Sequence, residues 1–535
     1  MLNRTALVAV VMLLPAMVEG QMVSPTMSDA TVVARGSLRL RAQIEWTRWD
    51  AIFGSGGNGT LPIGSALSTN VDVAALPLLQ QAQTAVQAMT ANPLVRLNVG
   101  TLTTSADSRI ASVPVSLEYG LTSRITLGIF VPIVETRTVV TTQLNGRSDS
   151  AANVGVNPAG GLLLSETAFA TNLQVISGLS SAAAALNAQL QACTPASTSS
   201  VCTGRRAEAQ ALVADVSSFM SVASNLYGTA KTQPGAPFIP LAGGVIQQAI
   251  DAHLAAIRSG FSSFTIPTGS GAFAAAKGFA ANAQLQALVS DATYGIGLDS
   301  IGTTETIALG DVELSAAVQL FNSFTDSASR GVKWRGALAG VVRLGTGHRA
   351  REQRPFDIGT GDGQPDVEVR GAIDVLLRDR FLTTVAGTYT QQIGSITFHR
   401  LPYPPGFTLA LDAPVAGSIK PGNMAALRLN PRFLITRGLM AGGLFTGAYR
   451  GADQVTVTGT APSGAVFGDP NPVTSWAGGV TLSYSNLATH SGTGDARFPA
   501  EIQFSHLETL GATATGPAKT TRDAIELRLY FRTRR

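Results

Sequence analysis

The side chains able to do chemistry are few and scattered. His253, His348, His399, His490 and His506 stand far apart, and none has the short spacing of a metal-ligand pair. Ser505 precedes His506, but adjacent residues of a strand point to opposite faces, so the two make no local nucleophile–base dyad. Catalysis would need partners from other strands, and no enzyme activity is expected. Asp357, Asp362 and Asp366 lie among glycines in Phe356–Asp366, offering the oxygen ligands a calcium loop uses. The acidic order of an EF-hand, closed by a glutamate, is missing. Gly359, Gly361 and Gly363 do not open a helix after a strand, as a phosphate cradle would. The stretch reads as a glycine-rich turn leading into a strand, with no metal and no cofactor.

Two other sets of residues carry an expectation. Cys193 and Cys202 are close in a chain that begins like a secreted one, and a disulfide between them is expected, the alternative being two free thiols. Arg39, Arg41, Glu45, Asp311, Glu313, Glu368, Arg370 and Asp374 fall on the polar sides of alternating segments. They would line a lumen, either shaping an aqueous path or pairing across it and filling it.

The elements that must position them alternate with a period of two. In Ala111–Ile133, residues Ala111, Val113, Val115, Leu117 and Tyr119 take turns with Ser112, Pro114, Ser116 and Glu118. After Gly120–Ser123 the pattern resumes at Ile125, Leu127, Ile129, Val131 and Ile133, which predicts an antiparallel hairpin with one apolar face. Leu38 to Trp46 does the same against Arg39, Arg41, Gln43 and Glu45. Further strands are predicted at Val95–Leu102, from Ile307 to Leu320, and at Val332–Leu344, Val367–Leu377, Phe381–Gln392, Ala425–Ile435, Leu439–Tyr449, Val473–Tyr484, Phe498–Leu507 and Ala524–Arg532. Their lengths approach the ~9–11 residues a tilted strand needs to cross a bilayer.

Connections alternate too. Gly120–Ser123, Arg378–Arg380 and Arg437–Gly438 are tight, whereas Gly345–Asp366, Gly394–Met424 and Arg450–Pro472 are long, as in barrels with short turns at one end and long loops at the other. Between the two strand-forming regions the period changes. Gly161–Ala192, Arg205–Tyr227, Val245–Arg258 and Ala272–Val289 are Ala-rich helix formers, and Leu76–Met89 has helical spacing.

Only 13% of the 535 residues are charged, against 45% hydrophobic and 56 glycines. Such a balance is unusual for a soluble chain and suits a wall that faces hydrocarbon. A net charge of +4 gives no reason to invoke nucleic acid. Residues 1–20, with Arg4 ahead of an apolar run from Ala6 to Leu14 and small Gly20 before Gln21, read as a secretory signal. No later apolar run is long enough for a spanning helix, so a chain that enters lipid must do so as a closed barrel.

The expected fold is therefore an all-β transmembrane barrel with a large α-helical insertion. Residues 21–140 would give the first part of the barrel with a short helix near 76–89, 141–305 a loop holding the helices within 161–289, and 306–535 the rest. Thirteen strand candidates conflict with an even barrel, so 12 or 14 antiparallel strands are expected, with the 76–89 helix in the lumen or on a rim.

Several segments resemble outer-membrane transporters for hydrophobic compounds, those of phenol and aromatic (meta-pathway) degradation and more distantly the long-chain fatty-acid transporters. They are Ser116–Arg124, Leu309–Glu313, Val342–Gly347 and Gly359–Asp366. An aromatic ending to the last strand, Phe531, resembles the assembly signal of outer-membrane barrels. The resemblance implies passive passage of a small apolar or aromatic solute through a Gram-negative outer membrane, with lipid as the other partner. The competing expectation is a barrel that transports nothing and anchors its helical insertion for adhesion or assembly. Oligomeric state is left open.

Overall fold

A computed structural model describes residues 28–54, 59–146, 151–324, 331–351, 353–354, 356–400, 415–458, 471–486, 499–513 and 517–532. The expected signal at 1–20 and His490 lie outside them.

Twelve strands form the wall: β1 (Ser37–Trp49), β2 (Asn98–Gly120), β3 (Ile125–Leu144), β4 (Val312–Asn322), β5 (Val332–Leu344), β6 (Asp366–Leu377), β7 (Phe381–Gln392), β8 (Met424–Thr436), β9 (Leu439–Arg450), β10 (Val473–Ser485), β11 (Ala500–Ala512) and β12 (Thr521–Arg532). Each pairs antiparallel with the next in sequence, and β12 returns to β1, so that Leu40 faces Leu529 on one side and Leu117 on the other. The ring is closed. Two short strands, Thr69–Asp72 and Thr304–Leu309, lengthen the sheet along β2 and β3.

Closure leaves alternate residues looking outward. On β1 and its neighbours these include Ile44, Trp46, Val113, Val115, Leu117, Tyr119, Leu127, Ile129, Ile133, Ile525 and Leu527, all exposed. The outward apolar row ends at one height. Trp46 stands opposite Asp523 and Ala111, Ala111 opposite Glu135, and Arg48 opposite Arg109. Beyond that line outward charges pair with each other, Arg109 with Glu135 at 2.9 Å and Arg137 with Glu305 at 3.6 Å. Because a charge at the lipid midplane costs ~2–4 kcal/mol, the band between is where hydrocarbon fits. Exposed aromatics mark both margins: Tyr119, Trp334 and Tyr484 at the tight-turn end, Trp46, Tyr389, Tyr449 and Trp476 toward the long connections.

The strand count resolves at β2. Of Val95–Leu102, expected as a separate strand, residues 98–102 open β2, which then runs unbroken for 23 residues. Together with the 20 residues of β3 it forms a hairpin longer than a bilayer requires. The surplus carries a helical cap.

The cap consists of α1 (Leu79–Thr90), α2 (Glu166–Gln191), α3 (Arg206–Tyr227), α4 (Val245–Ser263) and α5 (Asn282–Ser290). Buried residues recur at three- and four-residue steps, Val175, Leu179, Ala182, Leu186 and Leu190 on α2, and Ile250, Leu254, Ile257 and Phe261 on α4. Helix α1 packs on α3 and α4 at the rim. The buried cluster that joins these helices also takes in Ala106, Ile110, Val134 and Val140 from the upper hairpin and Phe356 and Ile358 from the connection after β5.

One expected helix is shorter than its composition suggests. Residues 272–281 are not helical: Phe273 stacks on the buried Tyr227 ring at 4.5 Å and Leu241 bridges to Ala276, packing that overrides alanine's helix preference. Burial pushes the Tyr227 phenol up, and its hydroxyl donates to Gln247 Oε1 at 2.7 Å. Cys193 and Cys202 are joined by a disulfide in the connection between α2 and α3.

Two outcomes are expected. Purified protein kept below boiling in SDS should run as a compact band that shifts on heating; a position unaffected by heat contradicts the closed ring. Replacing both cysteines by serine should destabilise the cap by ~2–3 kcal/mol, read by proteolysis between α2 and α3, with the heat shift of the barrel unchanged.

Candidate functional site

The inward faces of the strands carry charge, and much of it is joined in two networks. On β4–β6, Glu313 stands opposite Arg343 in register. Arg343 Nη2 donates to Glu313 and to Glu368, both at 3.1 Å, while Arg370 Nη2 donates to Glu313 at 2.9 Å and its Nε to Glu368. On β12–β1–β2 the cross-strand pair Arg41 and Arg528 would repel. Glu526 lies between them, accepting from Arg41 Nε at 2.9 Å and Arg528 Nε at 2.6 Å. Glu118 takes Arg39 and, at 3.4 Å, Arg41; Glu45 takes Arg522 at 2.5 Å. In a water-poor interior, charges placed this way hold one another's geometry.

The chain before β1 enters the lumen. Residues 28–30 run between Asp374 on β6 and Arg528 on β12, strands six places apart in the twelve-strand ring and therefore on opposite walls. Ala30 N–H donates to Asp374 Oδ2 at 3.1 Å and its carbonyl accepts from Gln319 Nε2 at 3.0 Å, so side chains satisfy a backbone that has no strand partner. Asp29 pairs with Arg528, and Ser28 accepts from Arg41 and Arg528. Ala30 is fully buried against Ala337, Ala372 and Ala386, small residues that leave room for the crossing. At the tight-turn end the segment lies on Gly120, where a Cβ would come within 2.1 Å of the Ala34 carbonyl oxygen.

Beside this strap, a cavity opens against β8, β9, β11 and β12. Its lining is mixed, with Arg428, Asn430 and Arg432 from β8, Leu444 from β9, Leu507 from β11 and Ala524 from β12 among its residues.

Of the residues singled out in the sequence, Arg39, Arg41, Glu45, Glu313, Glu368, Arg370 and Asp374 are buried on inward faces. Asp311 differs. It occupies the break between Thr304–Leu309 and β4, where its carboxylate accepts from the N–H groups of Gly347 at 2.8 Å and Asp362 at 3.2 Å, so it pins the connection after β5 instead of standing in the wall. Sequence reasoning missed the strap at 28–36, which carries no periodic signal, and Arg428 and Arg432, whose alternation with exposed Leu427, Leu429 and Phe433 was a readable one. Two aromatics of the wall belong inside: Trp49 is buried and Tyr530 donates to Glu501 at 2.8 Å. His253 is used by the cap, bonded to the Met89 carbonyl and edge-on to Phe219. Among the described residues no group of three His, Cys, Asp or Glu side chains is placed to hold a metal ion.

No family model matches this chain, and no curated protein does. Among solved structures, the COG4313 outer membrane channel from Pseudomonas putida F1 aligns over 95% of this chain and 100% of its own, at 9% identity and a TM-score of 0.40. A Pseudomonas aeruginosa FadL homologue aligns over 93% and 90% at 8% identity and TM-score 0.24, and the P. putida toluene transporter TodX over 94% and 91% at 9% and 0.24. Scores this low add nothing to what the chain's own geometry establishes.

The lumen networks give a contrast that can be measured. Glu526→Gln leaves Arg41 and Arg528 facing each other without a carboxylate between them, and should cost ~3–5 kcal/mol in urea unfolding of the lipid-reconstituted barrel. Glu135→Gln removes an exposed partner and should cost less than ~1 kcal/mol. Equal effects would mean that the inward charges are solvated as freely as the outer ones.

Proposed function

We propose that this protein is a channel of the Gram-negative outer membrane that lets small hydrophobic or aromatic molecules pass passively. The observation that carries the proposal is the cavity inside a closed ring, bounded on one side by wall strands and on the other by a strap held through a few side-chain bonds. A barrel needed only as an anchor could fill its interior completely. Here the interior keeps a space with an apolar patch, Leu444, Leu507 and Ala524, next to polar groups that would orient a solute.

The strap sets the resting state. Its grip on β6 runs through Asp374, which also binds Arg335 Nε at 2.6 Å and Thr384 Oγ1 at 2.6 Å, so the wall partner is itself fixed. On β12 the grip is the Asp29–Arg528 pair. None of these contacts belongs to the ladder that closes the ring.

Liposomes containing the purified protein should admit small neutral aromatic solutes such as benzyl alcohol faster than protein-free liposomes. Asp29→Ala should raise the rate, together with ion conductance, by loosening the strap. A barrel that retains its heat shift but passes neither ions nor aromatic solute, in either form, contradicts the channel.

A further inference from the structure

The lumen's cations are not all spoken for. Four arginines line the cavity, Arg428, Arg432, Arg522 and Arg528, against two acids, Asp29 and Glu526. Arg522 is committed to Glu45, and Arg528 to Asp29 and Glu526. Arg428 makes no hydrogen bond or ion pair with any described residue. The hydrogen-bond partner of Arg432 is neutral, Nη2 donating to Thr384 Oγ1 at 3.1 Å, and its Nε is buried without an acceptor. Between them on the same face, Asn430 accepts from Thr481 Oγ1 through Oδ1, which leaves its amide N–H groups, without an acceptor among the described residues, as donors to the cavity.

The arginines of the two networks are each paired with a carboxylate; Arg428 and Arg432, both half-buried, are in contact with none, although Glu45 and Glu526 act on Arg428, and Asp29 and Asp374 on Arg432, from further off. A guanidinium whose acids stand beyond contact keeps its fork of N–H donors for an anion that enters the cavity. Strand geometry sets the three donors of β8 in one row, roughly 7 Å from Arg428 to Asn430 and again to Arg432. Leu444, Leu507 and Ala524 line the same cavity. A fork of planar donors beside a small apolar wall matches a planar carboxylate attached to a compact hydrophobic body better than it matches a bare inorganic ion.

We propose that the row Arg428–Asn430–Arg432 is a binding site for small organic monocarboxylates, and that the solutes this channel handles include such amphipathic anions. This deepens the channel reading and rests on it for its biological meaning, though the site can be tested by itself. The carboxylate would take bidentate hydrogen bonds from one guanidinium and a third from Asn430, with its body against the leucines.

The test is titration calorimetry on the full-length protein in neutral detergent, with benzoate and its uncharged analogue benzamide as probes. Benzoate should bind at least about ten-fold tighter than benzamide. Arg428→Gln should lower benzoate affinity about ten-fold and leave benzamide unchanged; Arg428→Lys should restore part of the loss. Arg109→Gln, on the outside of the hairpin, should change nothing, and the heat shift of each variant confirms a folded barrel. Equal binding of the two probes, no benzoate binding, or an Arg428→Gln variant that binds benzoate as the parent does would overturn the proposal. Liposome flux of benzyl alcohol, run on the same preparations, separates the two readings. Flux without benzoate binding removes the site and keeps the channel, and benzoate binding without flux of any solute keeps the site and removes the channel.

Discussion

Pairing the twelfth strand with the first is the constraint from which the rest follows. Hydrocarbon supplies no partner for a backbone N–H or C=O, so a sheet in lipid survives only without edges. Once β12 meets β1 the backbone is satisfied, and each side chain has two possible solvents, lipid or lumen. Alternation assigns them. Ile44, Leu117 and Ile525 go out on three adjacent strands, while Glu45, Glu118 and Glu526 go in.

Closure also concentrates charge. Turning every polar face of a twelve-strand ring inward brings arginines and carboxylates to close quarters, and the chain answers by placing acids between bases, as Glu526 between Arg41 and Arg528 and Glu313 between Arg343 and Arg370. These pairs hold the inward side chains to one another across the strands. The segment before β1 adds a crossbar between opposite walls. What remains is a space on one side, where the compensation of charge is incomplete at Arg428 and Arg432. Function on this account lives where the wall's electrostatic closure stops short.

Legibility in the sequence followed periodicity. The hairpin from Ala111 to Ile133, the alternation of β1 and the tight turns at Arg378–Arg380 and Arg437–Gly438 were readable because lipid on one side and charge on the other enforce a period of two. The inward position of Arg39, Glu313 and Arg370 came with it. Three things were not readable. The union of Val95–Leu102 with the strand that follows was hidden because the cap, not lipid, covers Leu97, Val99 and Leu102, which blurs the alternation. The role of Asp311 depends on the Gly310–Asp311 break, a local feature made by the connection after β5. The strap is held by partners more than three hundred residues away in Asp374 and Arg528, and no local pattern foretells a contact at that separation.

The claim beneath all of this is that the outward faces touch lipid. Single-tryptophan forms retaining Trp46, Trp334, Trp476 or Trp49, reconstituted into vesicles of brominated phospholipid, test it most directly. Trp46, Trp334 and Trp476, each about half exposed on the outer wall, should lose fluorescence to the brominated chains, and Trp49, 6% exposed, should be spared. Outer tryptophans quenched by aqueous iodide and untouched by brominated lipid would show that the apolar faces meet something other than a bilayer, and the account would fail with them.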